Sequence, residues 1–89
     1  MNILLDQGWS EIDSKLVKNY VLPNFAEGIN FINLIANEAE KADHHPDLKL
    51  YNYKNVRITL TTHSKRRITK KDITLAKTID HVYDSMKVY

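Results

Sequence analysis

The sequence predicts an α+β two-layer sandwich, a four-stranded antiparallel sheet with two helices on one face, in the order β-β-α-β-β-α. Three observations carry that expectation. Two stretches, one after Pro23 and one after Thr69, repeat apolar side chains at helical spacing. Leu16 to Leu22 and Asn55 to His63 instead alternate with the period of two that a half-buried strand requires. Short polar turns join neighbouring strand-like runs, which makes antiparallel hairpins, and each amphipathic helix needs a sheet face to cover.

Taken in order, Gly8 to Ile12 reads as a short strand whose strong apolar residues are Trp9 and Ile12. Asp13-Ser14-Lys15 has turn chemistry. In the next strand Leu16, Lys18, Tyr20 and Leu22 share one face, and Val17, Asn19 and Val21 the other. Pro23 ends it. Asn24, with Glu27 three residues on, resembles a capping box. Phe25, Ile29, Ile32, Ile35, Ala36 and Ala39 then supply the predicted inner face of a helix, with Asn30, Asn33, Asn37 and Lys41 mostly elsewhere. Because Pro46 disfavours helical backbone at His45, that helix should stop near Asp43 or His44. Leu48 to Tyr51 forms a third strand and Asn52 to Asn55 a hairpin turn. In the fourth strand, Asn55 to His63, Val56, Ile58 and Leu60 point one way and Arg57, Thr59, Thr61 and His63 the other. Thr69 and Asp72 form a second capping box, and Ile73, Ala76, Ile79, Val82, Tyr83 and Met86 face the core from the last helix.

Composition narrows the chemistry. Residues 1–89 are expected to form one domain, since no repeat, low-complexity tract or linker divides them. A chain of this length buries only about 60% of the surface its unfolded form exposes, so its core is thin and partner subunits are the expected supplement. The absence of cysteine excludes disulfides and thiolate metal sites. An apolar share of 43% and a charged share of 27% are those of an ordinary globular protein. Thirteen basic against eleven acidic residues, a net charge of +2, are too evenly balanced to force nucleic-acid binding. No apolar run approaches the ~20 residues of a membrane span. Met1-Asn2-Ile3-Leu4-Leu5-Asp6 lacks the pattern of a signal peptide, so a cytoplasmic location is expected.

Three of the four histidines sit at two junctions: His44 and His45 where the first helix gives way to a strand, and His63 at the end of the clearest strand. Such junctions often carry sites, because a rigid scaffold holds them. Imidazole titrates near ~6.5, so it can accept or donate a proton at neutral pH. The plainer alternatives are that His44 and His45 cap the helix end, that His63 is a surface residue, and that His81 is structural or solvated. A histidine metal site is disfavoured, since adjacent His44 and His45 diverge and no His-x-x-x-His pair lies on a helix.

Glu40-Lys41-Ala42-Asp43-His44-His45-Pro46 resembles the Glu-x-x-x-His-His-Pro motif of the pterin-4a-carbinolamine dehydratases. Val56-Arg57-Ile58-Thr59-Leu60-Thr61-Thr62-His63 is similar to their strand ending in Thr-His, and Ile68 to Ala76 to the start of their closing helix. The resemblance runs from Trp9 through the last helix. It implies a dehydratase that removes water from a 4a-hydroxytetrahydropterin to leave the quinonoid dihydropterin, using no cofactor or metal. It also implies His45 and His63 as acid/base candidates, with His44 in proton transfer or orientation. Pro46 would shape the pocket wall, and Thr62 and Ser64 would offer hydrogen bonds to the pterin. Glu40 would orient His44 from one turn away, and Asp72 is either a helix cap or a partner for an active-site group. Homo-dimers or homo-tetramers, pairing through an edge strand and an exposed helix face, are implied as well. So is a second function class, a protein-interaction module acting as a dimerisation cofactor of a transcription factor.

The resemblance is incomplete at Arg67, where many relatives carry glycine. If that glycine needs positive φ, Arg67 bears a strain of ~1–3 kcal/mol or the loop differs. Lys65, Arg66, Arg67, Lys70 and Lys71 are the most uneven charge in the chain. They read either as a solvated loop or as a site for a phosphorylated pterin, a nucleic acid or an acidic protein partner.

Overall fold

The computed structural model describes residues 7–87. Met1 to Asp6, on which the reading about a signal peptide rests, lie outside the described residues. The elements are β1 (Ser10–Ile12), β2 (Lys15–Val21), α1 (Phe25–Ala42), β3 (Asp47–Tyr51), β4 (Asn55–Leu60) and α2 (Lys70–Ser85). One antiparallel sheet has the strand order β1-β2-β4-β3, and both helices cover one face of it, as expected.

Register explains how alternation becomes a core. Leu16 pairs with Leu60, Lys18 with Ile58 and Tyr20 with Val56, while Leu48 and Leu50 stand opposite Ile58 and Val56 from the other side. These residues share the inner face. Leu16, Tyr20, Val56, Ile58 and Leu60 are buried there with Phe31 and Ile35 of α1 and Leu75, Ala76 and Ile79 of α2. Asn19, Lys49 and Arg57 face outward and are exposed. The hairpin turns need left-handed backbone at paired positions. Asp13 and Ser14 have φ of 51° and 63°, and Asn52 and Tyr53 have 46° and 53°. Two successive residues of this kind match the right-handed twist of the strands they join.

Several boundaries and faces differ from the sequence expectation. β1 begins at Ser10, not Gly8, and Ile12 is exposed. Trp9 is buried ahead of the strand, held by a hydrogen bond from its Nε1 to Asp80 Oδ2 at 3.0 Å. β4 ends at Leu60, and His63 lies in a turn beyond it. On α1 the buried row is Gly28, Phe31, Ile35 and Ala39, whereas Phe25, Ile29 and Ala36 face outward. The helix carries two adjacent apolar stripes, and the sheet takes the one that allows closest approach. A Cβ at Gly28 would stand 3.1 Å from Leu50 Cδ1, so α1 packs closely on β3 there and a larger residue would make that methyl group give way. The chosen stripe also brings Phe31 to 5.0 Å and 5.6 Å from the rings of Tyr20 and Tyr83, edge-on. On α2, Leu75 and Asp72 join the predicted face as buried residues.

A polar knot ties α2 to the β1–β2 hairpin. Asp80 accepts from Trp9 Nε1, from Lys18 Nζ at 2.7 Å and from the Tyr20 hydroxyl. Burial, and then the hydrogen bond and charge of Asp80, push the ionisation of Tyr20 well above the usual phenol range. The sign of the consequence is fixed: the folded state holds the phenolic proton more tightly than the unfolded state does. Stability is therefore intact below the ordinary tyrosine pKa of about 10 and falls as pH rises past it. Urea titrations across that range are expected to show the loss, and Tyr20→Phe should flatten it. An unchanged alkaline slope in Tyr20→Phe would disprove this account.

Candidate active site

The last turn of α1 decides where the histidine pair goes. Asp43 adopts left-handed backbone (φ 50°), its N–H donates to Glu40 O at 3.3 Å, and the His44 N–H donates to Ala39 O at 3.1 Å. This double closure is a Schellman motif, which satisfies the terminal carbonyls and turns the chain sharply off the helix axis. His44 is thereby directed toward the start of α2. His45 points back along α1.

Asp72 receives His44. The ring Nε2 lies 2.6 Å from Asp72 Oδ1, with the carboxylate fully buried and the imidazole 11% exposed. The other carboxylate oxygen accepts from the Thr62 hydroxyl at 2.7 Å and from the Thr69 N–H at 2.9 Å. Thr69 and Thr62 hydroxyls are themselves 2.6 Å apart. Each of these partners gives Asp72 a donor, so the carboxylate is the acceptor throughout and His44 carries its proton on Nε2. In the neutral form of the ring, Nδ1 is then the nitrogen free to accept a proton. One Asp72 side chain thus both caps the start of α2 and meets His44.

Glu40 is placed differently from the expectation. It meets His45 Nε2 at 2.6 Å, not His44, because the turn at Asp43 carries His44 out of its reach. That pair is solvent-exposed, 59% for His45 and 75% for Glu40, and contributes at most about 1 kcal/mol. Pro46 is half-buried ahead of β3, and Thr62 is buried. His63 and Ser64 are exposed in a turn closed by the Thr62 N–H donating to Arg67 O at 3.0 Å and by the Arg66 N–H donating to Thr62 O at 2.8 Å. The left-handed residue of this turn is Arg66 (φ 54°), so the strain anticipated at Arg67 falls one position earlier. Thr62 thus links the two histidine junctions: it shares Asp72 with His44 and precedes His63 in the chain.

A model of the family described as pterin 4 alpha carbinolamine dehydratase matches residues 2–82. The chain belongs to this family. Among its relatives is a Picosynechococcus sp. protein named for the same family, 42% identical over 74 residues that span 83% of this chain and 79% of that one. A Sulfolobus acidocaldarius protein of the same name is 42% identical over 76 residues, 85% of this chain and 82% of its own. The fold is similar to a crystal structure of a transcriptional coactivator/pterin dehydratase from Brucella melitensis, with TM-score 0.82 and 31% identity over 92% of this chain and 90% of that one. A pterin dehydratase-like protein identified as a RuBisCO assembly factor in the alpha-carboxysome shares the fold at TM-score 0.70 and 20% identity, covering 84% and 88% of the two chains.

In this member of the family, His44 opens onto a groove of about 420 Å³ between the end of α1 and the start of α2. Glu38, Lys41 and Ala42 line one wall, and Lys70, Lys71, Thr74, Leu75 and Thr78 the other. His45 and His63 are not among its lining residues. Apart from Lys70 and Lys71, the sequence reading missed these walls. A signal was present, since residues 71, 74, 75 and 78 recur at helical spacing in a row that meets the core face of Ala76 and Ile79 at Leu75.

Proposed function

We propose that the protein dehydrates a 4a-hydroxytetrahydropterin, 4a-hydroxytetrahydrobiopterin or a close relative, by histidine general acid/base catalysis. The observation that carries this reading is the Asp72–His44 pair, in a member of the dehydratase family, at the mouth of a groove of pterin size. The reaction breaks the bond from C4a to oxygen, and a general acid supplies the proton with which the hydroxyl leaves as water. A general base removes a ring-nitrogen proton, and the freed electron pair forms the C=N bond of the quinonoid dihydropterin. Neither step calls for a metal, a redox cofactor or a covalent intermediate. His44, with its proton-accepting Nδ1 fixed by Asp72, serves as base or relays to it. His45 and His63, which lie outside the groove lining, are proposed as the other proton carriers on the strength of the family's motif. Glu40, Pro46, Thr62 and Ser64 are proposed on the same ground as residues that position the substrate. The chain works as one cytoplasmic domain in this proposal.

Chemically generated 4a-hydroxytetrahydropterin is the test substrate. Catalysed water loss supports the reading, and the spontaneous rate alone would remove it. A second reading, a protein-interaction module with subsidiary catalysis, draws on the Brucella melitensis coactivator/pterin dehydratase that the fold resembles. Absent catalysis together with specific recovery of a protein partner would favour that reading.

Self-association fits either role. Phe25 is 54% exposed and Ile29 39%, one turn apart on the outer stripe of α1, and such a stripe on a thin-cored chain suits a second copy. Light scattering after size exclusion is expected to give a dimer or tetramer, and Phe25→Asp with Ile29→Asp should lower the mass to that of one chain. A monomeric wild-type protein would refute this.

A further inference from the structure

We propose that the groove beside His44 selects pterins whose side chain carries a phosphate, bound by Lys41, Lys70 and Lys71; this rests on the dehydratase reading above. The three lysines come from two helices and line one groove: Lys41 in the last turn of α1, Lys70 and Lys71 as the first residues of α2. The one acid that lines it, Glu38, is 3.3 Å from Lys41 and offsets only that charge. Among the described residues, neither Lys70 nor Lys71 lies within ion-pair distance of a carboxylate. Nor does Asp72 reach into the groove to neutralise them, because its oxygens are occupied by His44, Thr62 and Thr69.

Position strengthens the case. The first turn of a helix already carries partial positive charge, so lysines there oppose helix stability. The same potential, added to theirs, attracts an anion. Ala42 and Leu75 add apolar surface to the two walls of the groove, and Thr74 and Thr78 add hydroxyl groups along α2. A pterin reacting at His44 would therefore lay its side chain along this apolar surface and its phosphate among the ammonium groups. Lys65, Arg66 and Arg67, which belong with Lys70 and Lys71 to the basic cluster of the sequence, do not line the groove.

Equilibrium binding of two stable probes tests the assignment: 6-hydroxymethyl-7,8-dihydropterin and its phosphate monoester, by calorimetry at low ionic strength. The ester is expected to bind about tenfold more tightly, as two or three exposed ion pairs supply. High salt should narrow the gap, because these charges are open to solvent. In the Lys41→Gln, Lys70→Gln, Lys71→Gln triple variant the two probes should bind within about twofold of each other. Equal affinities in the wild type, a gap that survives the triple variant, or failure of both probes to bind would each overturn the proposal. Turnover of neutral 4a-hydroxytetrahydrobiopterin, measured in parallel, separates the two claims. Turnover without a preference for the ester overturns this inference alone. A preference that vanishes in the triple variant, without turnover of any pterin, supports the groove assignment and overturns the dehydratase reading.

Discussion

His44→Ala is expected to lower kcat for dehydration by ~10²–10⁴-fold, the usual contribution of a positioned acid or base. The protein should stay folded, since Thr62 and Thr69 still donate to the Asp72 carboxylate. His63→Ala should lose turnover on the same scale with almost no change in stability, because His63 is exposed in its turn. His45→Ala removes only an exposed pair with Glu40 from the fold, so any large loss of rate there reports on catalysis. Steady-state kinetics with circular dichroism on each variant checks all three. Near wild-type rates in both His45→Ala and His63→Ala would sink their assignment as proton carriers.

Asp72 should be the most consequential single position, since fold and chemistry meet there. Asp72→Ala leaves the His44 Nε2–H, the Thr62 hydroxyl and the Thr69 N–H without their common acceptor in a fully buried place. The expected cost is about 3 kcal/mol, a large part of the ~5–15 kcal/mol that holds a typical domain. Asp72→Asn separates the two roles. The amide keeps the size and one acceptor, so urea denaturation should show a loss of about 1–2 kcal/mol. It also sets an NH₂ group against one of the donors. Where that donor is His44, the ring must move its proton to Nδ1, and the proton-accepting nitrogen is lost. Turnover should therefore fall at least tenfold more than the stability change explains. A fully active Asp72→Asn enzyme would show that the carboxylate only caps α2.

Much of this arrangement was legible in the sequence because it is local. Alternation in Leu16 to Leu22 and Val56 to Leu60 gave the inner face of the sheet. The Thr69-x-x-Asp72 spacing gave the start of α2, and His44-His45-Pro46 the end of α1. What was not legible depends on how elements meet. Two apolar stripes on α1 are equal by periodicity, and it is packing between elements, Gly28 against Leu50 and Phe31 against Tyr20 and Tyr83, that buries Phe31 and leaves Phe25 exposed. Glu40 is one turn from His44 in sequence, yet the left-handed Asp43 hands it to His45. β4 stops at Leu60 because the pairing of Thr62 with Arg67 folds the following residues into a turn. Lys41 joins Lys70 and Lys71 only when α1 and α2 pack, so charge followed along the chain groups those two with Lys65, Arg66 and Arg67 and leaves Lys41 out.

One measurement bears most directly on the central claim. Chemically generated 4a-hydroxytetrahydrobiopterin is mixed with the wild-type protein in stopped flow, and appearance of the quinonoid dihydropterin is followed by absorbance. Water loss is expected well above the spontaneous rate, saturating with substrate and abolished in the His45→Ala, His63→Ala double variant. A natively folded wild-type protein that leaves the spontaneous rate unchanged would contradict it.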